Sequence, residues 1–104
     1  MANRWRGDVE VIVDGHAHVA RLTLGALAEL EESLGEDTLL GLVQRFEGGG
    51  FTARDVLALL GAGLRGGGVR ISDATLAQAE IAGGPMAAAR AAAELLARAF
   101  VVPE

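Results

Sequence analysis

Two short runs near the start of the chain alternate between apolar and polar residues. They cover residues 9–13 and 16–22, and Asp14 and Gly15 separate them. A period of two is typical of strands. Asp-Gly between two such runs favours a type I′ turn, because both central residues of that turn need a positive φ. The pattern therefore predicts a β-hairpin over about residues 8–22.

The two-residue loop also predicts the register of this hairpin. It pairs Val13 with His16, Val11 with His18 and Val9 with Ala20. The same register sets Asp8 opposite Arg21, which is a favourable cross-strand charge pair. An isolated hairpin is marginal in water, so we expect it to pack on other elements or to pair with a strand of another chain.

After the hairpin the apolar residues change to three- and four-residue steps, which predict short helices. The predicted helices span about residues 24–34, 37–46, 53–65, 73–82 and 85–100. In the first of them the apolar face consists of Leu24, Leu27, Leu30 and Leu34. Thr23 and Thr52 are predicted N-caps, and Asp55 completes an imperfect capping box with Thr52.

The glycine-rich stretch 61–68 is expected to be a loop, or a tightly turned helix end. Its residues Gly61, Gly63 and Gly66 match the pattern G-x-G-x-x-G. A dinucleotide fingerprint needs this pattern between a strand and a helix, whereas here it follows a helix. We therefore interpret these glycines structurally.

The predicted fold class is α+β, mainly α, with an N-terminal β-hairpin packed on a bundle of four or five short helices. A single domain is expected over residues 1–104, because this length supports one hydrophobic core. Hydrophobic residues make up 51% of the chain and aromatic residues only 4%, so the core should be aliphatic.

Composition excludes several classes of function. The net charge is −5, all nine cations are arginines, and there is no cysteine. An acidic balance argues against nucleic acid and against an anionic membrane surface as partners. The polar residues 1–8 lack the core of a signal peptide, and no apolar run is long enough to span a bilayer. The expected location is the cytoplasm of the producing bacterium.

The candidate chemical groups do not form a convincing site. His16 and His18 share a strand face, but a metal needs three or four ligands and only Asp14 is a near acid. The cluster Glu29, Glu31 and Glu32 is interpreted as a solvated helix face. The sequence predicts no enzyme, no cofactor and no metal site.

The alanine-rich last helix leaves two interpretations open. Small residues allow close packing within the domain, but they also suit a smooth contact face for a partner helix or a neighbouring copy. The bulky side chains beside them are the predicted partner-binding residues: Leu95, Leu96, Phe100 and Val102.

Three runs carry a resemblance to a known family. They are residues 3–9 (NRWRGDV), 22–31 (LTLGALAELE) and 59–67 (LLGAGLRGG). With them the chain resembles the gene-transfer-agent and phage tail protein family from Asn3 to about Phe100. Members are described both as tail tube proteins and as tail assembly chaperones.

The resemblance implies a role in building a phage-like tail, and it brings no catalytic residues. It favours a tail assembly chaperone that binds the tape measure protein, with a structural tail component retained in the particle as the alternative. A tube subunit usually needs a larger β-sandwich, so one hairpin favours the chaperone. The implied partners are the tape measure protein or other tail proteins, and a homo-oligomer stays open.

Overall fold

The computed structural model describes residues 7–35 and 38–100, and within them a two-stranded hairpin precedes five helices. The elements are β1 (Val9–Val13), β2 (His16–Ala20), α1 (Leu24–Leu34), α2 (Leu39–Gly48), α3 (Ala53–Gly66), α4 (Asp73–Gln78) and α5 (Gly84–Ala99). The predicted fold class, α+β and mainly α with an N-terminal hairpin, is confirmed.

The hairpin has the predicted register and turn. Val13 pairs with His16, Val11 with His18 and Val9 with Ala20. Asp14 and Gly15 both have positive φ, at 50° and 81°, as a type I′ turn requires. The face that carries the three valines of β1 is buried, so the hairpin packs on the helices of its own chain.

Polar contacts stabilise both ends of the hairpin. At its open end, Arg21 Nε lies 2.5 Å from Asp8 Oδ1, the predicted cross-strand charge pair. At its turn, Asp14 N donates to Glu80 O at 2.8 Å and Ala82 N donates to Ile12 O at 3.1 Å. The segment after α4 therefore runs beside the end of β1 in a short antiparallel bridge.

The helix α3 lies at the centre of the fold, in contact with α1, α4, α5 and β2. It continues to Gly66, so the predicted helix over residues 53–65 is confirmed and a loop that starts at residue 61 is wrong. Its glycines allow close approaches that a side chain would block. A Cβ on Gly63 would lie 2.7 Å from Leu95 Cδ1, and one on Gly66 would overlap the carbonyl oxygen of Arg21.

The buried face of α1 differs from the predicted leucine face. Leu24 is 84% exposed, whereas Ala26 and Leu30 are buried. Ala26 packs where Gly66 leaves space, because a Cβ on that glycine would lie 3.1 Å from the Cβ of Ala26. The close approach of α1 to α3 turns a small residue inward and Leu24 outward.

The helix α4 ends at Gln78 and not near residue 82. Ala79 has extended angles, with φ −81° and ψ 157°, and the following residues bond to the hairpin. The backbone groups of Glu80 and Ala82 thus take partners on β1 and its turn. Tertiary pairing replaces the last predicted turn of this helix.

The buried apolar residues form one cluster between the hairpin and the helices. Its largest fully buried apolar side chains are leucines, as the composition predicted: Leu30, Leu42, Leu59, Leu64 and Leu95.

Candidate functional site

The candidate site is an open apolar groove between α3, α4 and the start of α5. Its volume is about 440 Å³. The lining residues are Ala53, Val56, Leu57, Leu60, Leu76, Ala77, Ala79, Glu80, Ile81, Gly84, Pro85 and Ala88. Among these, Glu80 alone has a polar side chain. We refer to this surface as the α3–α5 groove.

Helical spacing places the walls of the groove. On α3 the lining positions 53, 56, 57 and 60 recur at three- and four-residue steps, so they share one face. On α5 the lining positions 84, 85 and 88 do the same. Pro85 stands in the first turn of α5, where its missing N–H costs no hydrogen bond. The N-terminal halves of both helices therefore face the groove.

Two acidic residues are hydrogen-bonded to each other at the edge of the groove, through the backbone of Glu80. Asp14 Oδ1 accepts a hydrogen bond from Glu80 N at 2.8 Å, so the hairpin turn brings Asp14 next to the lining residue Glu80. Both residues are exposed. Among the ion pairs of residues 7–35 and 38–100, none involves either carboxylate.

An arginine holds the α4 side of the groove in place. Arg65 Nη1 lies 2.9 Å from Asp73 Oδ1 and also donates to Ile71 O at 2.8 Å. Its Nη2 forms an ion pair with Glu29. Desolvation of Arg65 opposes its charge, but the two carboxylates outweigh this effect and raise its pKa. Arg65 thus joins α1, α3 and the start of α4.

A match to a protein-family model identifies the family of this chain. Residues 6–101 match the model described as phage tail tube protein, GTA-gp10. The chain belongs to this GTA-gp10 family. No curated protein and no solved structure matches it. The resemblance to gene-transfer-agent tail proteins is thereby confirmed, and the chain is a phage-tail-related protein.

In this GTA-gp10 family member, the described residues of the predicted partner-binding set, Leu95, Leu96 and Phe100, are not part of the lining of the α3–α5 groove. Leu95 and Leu96 are 1% and 4% exposed and belong to the core. Phe100 is 48% exposed at the end of α5, and Val102 lies outside the described residues. A contact surface at this end of α5 stays a prediction. Of the four predicted residues, Phe100 is the one that the described part of the chain exposes.

The two histidines share a face of β2, as their spacing predicted. His16 is exposed at the turn, and His18 is half-buried opposite Val11. Residues 7–35 and 38–100 contain no group of three histidines or acids that could hold a metal ion. In the same ranges, no helix has the length and apolar character needed to cross a membrane.

Glu29 departs from the predicted solvated acidic face. It pairs with Arg65 across the α1–α3 contact, whereas Glu31 and Glu32 are exposed. From the sequence alone, Glu29 is one of three equivalent acids on the solvated face of α1. Spacing along α1 could not reveal a partner that stands more than thirty positions later in the chain.

The groove is not among the features that the sequence predicts. The apolar pattern predicts one face of α3 and separate helices after it. One signal was available, because Val56, Leu57, Leu59, Leu60 and Leu64 form a broader apolar face than one packing partner needs.

Proposed function

We propose that the chain is a phage-like tail assembly chaperone that binds the tape measure protein during tail morphogenesis, in the cytoplasm of the producing bacterium. It would act by contact and not by catalysis. The observation that carries this proposal is the open α3–α5 groove on a mainly helical member of a phage tail family.

The groove suits the task of a chaperone. The resemblance implies a long helical tape measure protein that has to be kept in solution before tube subunits assemble around it. A helix with an apolar face needs a complementary apolar surface, and helix-in-groove binding provides one. The net charge of −5 favours solubility of the chain itself.

A second candidate function is that of a structural tail component, and the family description as a tail tube protein favours it. A tube subunit needs sheet edges that can pair between subunits. In the described residues the sheet has only two strands. The end of β1 is bridged to Ile81, and Arg21 N, directly after β2, donates to Gly63 O at 2.8 Å. These contacts occupy the ends of both strands, which weighs against a tube in which the hairpins of neighbouring subunits pair into a ring.

Co-expression with the tape measure protein of the same gene cluster tests the chaperone function. We expect the tape measure protein to become more soluble and to co-purify with the chain. Unchanged solubility without co-purification would contradict the proposal.

Mass spectrometry of purified particles separates the two candidates. A chaperone should be absent from finished particles or far below the amount of the tube subunit. Abundance equal to that of a structural subunit would favour the alternative.

A further inference from the structure

We propose that the α3–α5 groove binds the apolar face of an amphipathic α-helix, and that Glu80 and Asp14 receive an arginine or lysine that flanks this face. The inference rests on the proposed chaperone function and names the binding surface and the chemistry of the bound segment.

The lining argues for a helix face and against a small molecule. The volume of about 440 Å³ does not decide between the two, because small-ligand pockets also measure roughly 300–1,000 Å³. Small-ligand sites combine apolar walls with several placed polar groups. Here every lining side chain except that of Glu80 is apolar. Such a surface offers area for burial and few groups that could orient a small polar ligand.

The carboxylates of Glu80 and Asp14 indicate that the bound helix carries a positive charge beside its apolar face. Glu80 uses its backbone N and O to bond with Asp14, and the residue is exposed in the lining of the groove. Neither carboxylate has an arginine partner in residues 7–35 and 38–100. An arginine or lysine beside the apolar stripe of a bound helix would complement them. Such rim charges speed association and fix orientation more than they strengthen binding.

Two exposed alanines on α4 allow a matched test of the apolar contact. Ala77 lines the groove, whereas Ala74 lies on the same helix and does not. The probe is a set of overlapping labelled peptides, about 25 residues each, that covers the tape measure protein. We expect Ala77→Arg to weaken binding of the tightest peptide by about tenfold or more, as loss of a central contact does. Ala74→Arg should bind like the wild type.

Glu80 allows a separate test of the charge contact. Because the hydrogen bonds of Glu80 use its backbone, substitution of its side chain should leave the attachment of the hairpin turn intact. We expect Glu80→Arg to weaken binding and to reduce its dependence on salt, since rim charges act through screened attraction. Glu31→Arg changes the same charge on the exposed side of α1 and should have neither effect.

The outcomes separate this inference from the proposed function. If the wild type binds a peptide and Ala77→Arg binds it equally well, the groove is not the site, while the chaperone function stands. If the wild type binds neither the peptides nor the whole tape measure protein, both proposals fail. If the wild type is a dimer that Ala77→Arg dissociates, and no peptide competes, the groove is an interface between copies and the inference is overturned.

Discussion

At the scale of single residues, Asp55 connects a helix cap to an ion pair. Its Oδ2 accepts from Thr52 N and from Arg45 Nε, both at 2.9 Å, and its Oδ1 accepts from Arg45 Nη2 at 3.1 Å. Thr52 Oγ1 in turn accepts from Asp55 N, which completes the predicted capping box. The carboxylate therefore caps α3 and holds α2 against its first turn.

These contacts make the stability of the fold depend on pH. Burial of Asp55 opposes ionisation, but hydrogen bonds from Arg45 and Thr52 outweigh it and lower its pKa. A lowered pKa in the folded state stabilises the fold fully above the unfolded value of about 3.9. This contribution is lost as the pH falls through the folded pKa.

We therefore expect Asp55→Asn to lower the free energy of unfolding at pH 7 by about 1–3 kcal/mol, because Arg45 loses its charged partner. The loss should shrink as the pH falls below about 4, because the carboxyl of the unfolded wild type becomes protonated there. It should vanish only below the lowered pKa of the folded state. Urea unfolding of both proteins between pH 7 and pH 3 measures the difference. A constant difference over this range would contradict the assigned role of the carboxylate.

Local chemistry made the caps predictable from the sequence. Thr23, Thr52 and Ser72 each accept a hydrogen bond from an amide three residues later, as N-cap residues do. The hairpin turn was predictable for the same reason, since Asp14 and Gly15 tolerate positive φ. These features depend on neighbours within a few residues, which a single sequence contains.

At the scale of elements, the end of α3 shows where local rules fail. Glycine has a low intrinsic helix propensity, so the composition of residues 61–68 favours a loop, although the apolar spacing predicts a helix to residue 65. The structure keeps Gly63 and Gly66 helical because Leu95 of α5 and the backbone after β2 approach them closely. Such close approaches depend on elements that are distant in the sequence, and no local pattern encodes them.

This explanation predicts the effect of adding one methyl group to α3. Gly66→Ala should destabilise the fold by about 1–3 kcal/mol, because its Cβ would overlap the backbone oxygen of Arg21, and that backbone would have to move. Gly48→Ala is the matched control at the end of α2, where a Cβ meets nothing within 4 Å. It should be neutral or stabilise by up to about 1 kcal/mol. Thermal unfolding of the two variants gives both values, and equal values would refute the packing explanation.

At the scale of the whole molecule, apolar residues divide between a core and open surfaces, and the sequence cannot show this division. Leu24 and Leu30 belong to the same predicted stripe of α1, yet one is 84% exposed and the other fully buried. Val56 and Leu57 line the groove, while Leu59 on the same helix is fully buried. Periodicity identifies an apolar face but not its neighbour. The groove becomes visible only when α4 and α5 are placed around α3.

Substitutions on α5 are therefore expected to differ in their effects on stability and on binding, depending on where they lie along the helix. The helix starts at the groove and ends beside Phe100, which at 1.5 Å per residue lies about 24 Å from Gly84 and about 18 Å from the lining residue Ala88. Leu96→Ala removes a buried side chain and should cost about 2–5 kcal/mol, whereas Phe100→Ala should cost less than about 1 kcal/mol because the ring is half exposed. A loss of binding by the Leu96 variant would therefore report on folding and not on contact.

The Phe100 variant gives the informative result. If the groove is the binding surface, Phe100→Ala should lower the melting temperature by no more than a few degrees. It should bind the tape measure peptides within about twofold of the wild type, as a residue remote from the contact does. A loss of peptide binding at an unchanged melting temperature would instead place a contact at the end of α5. That result would support the predicted partner-binding surface near Phe100. The groove would then form only part of the interface.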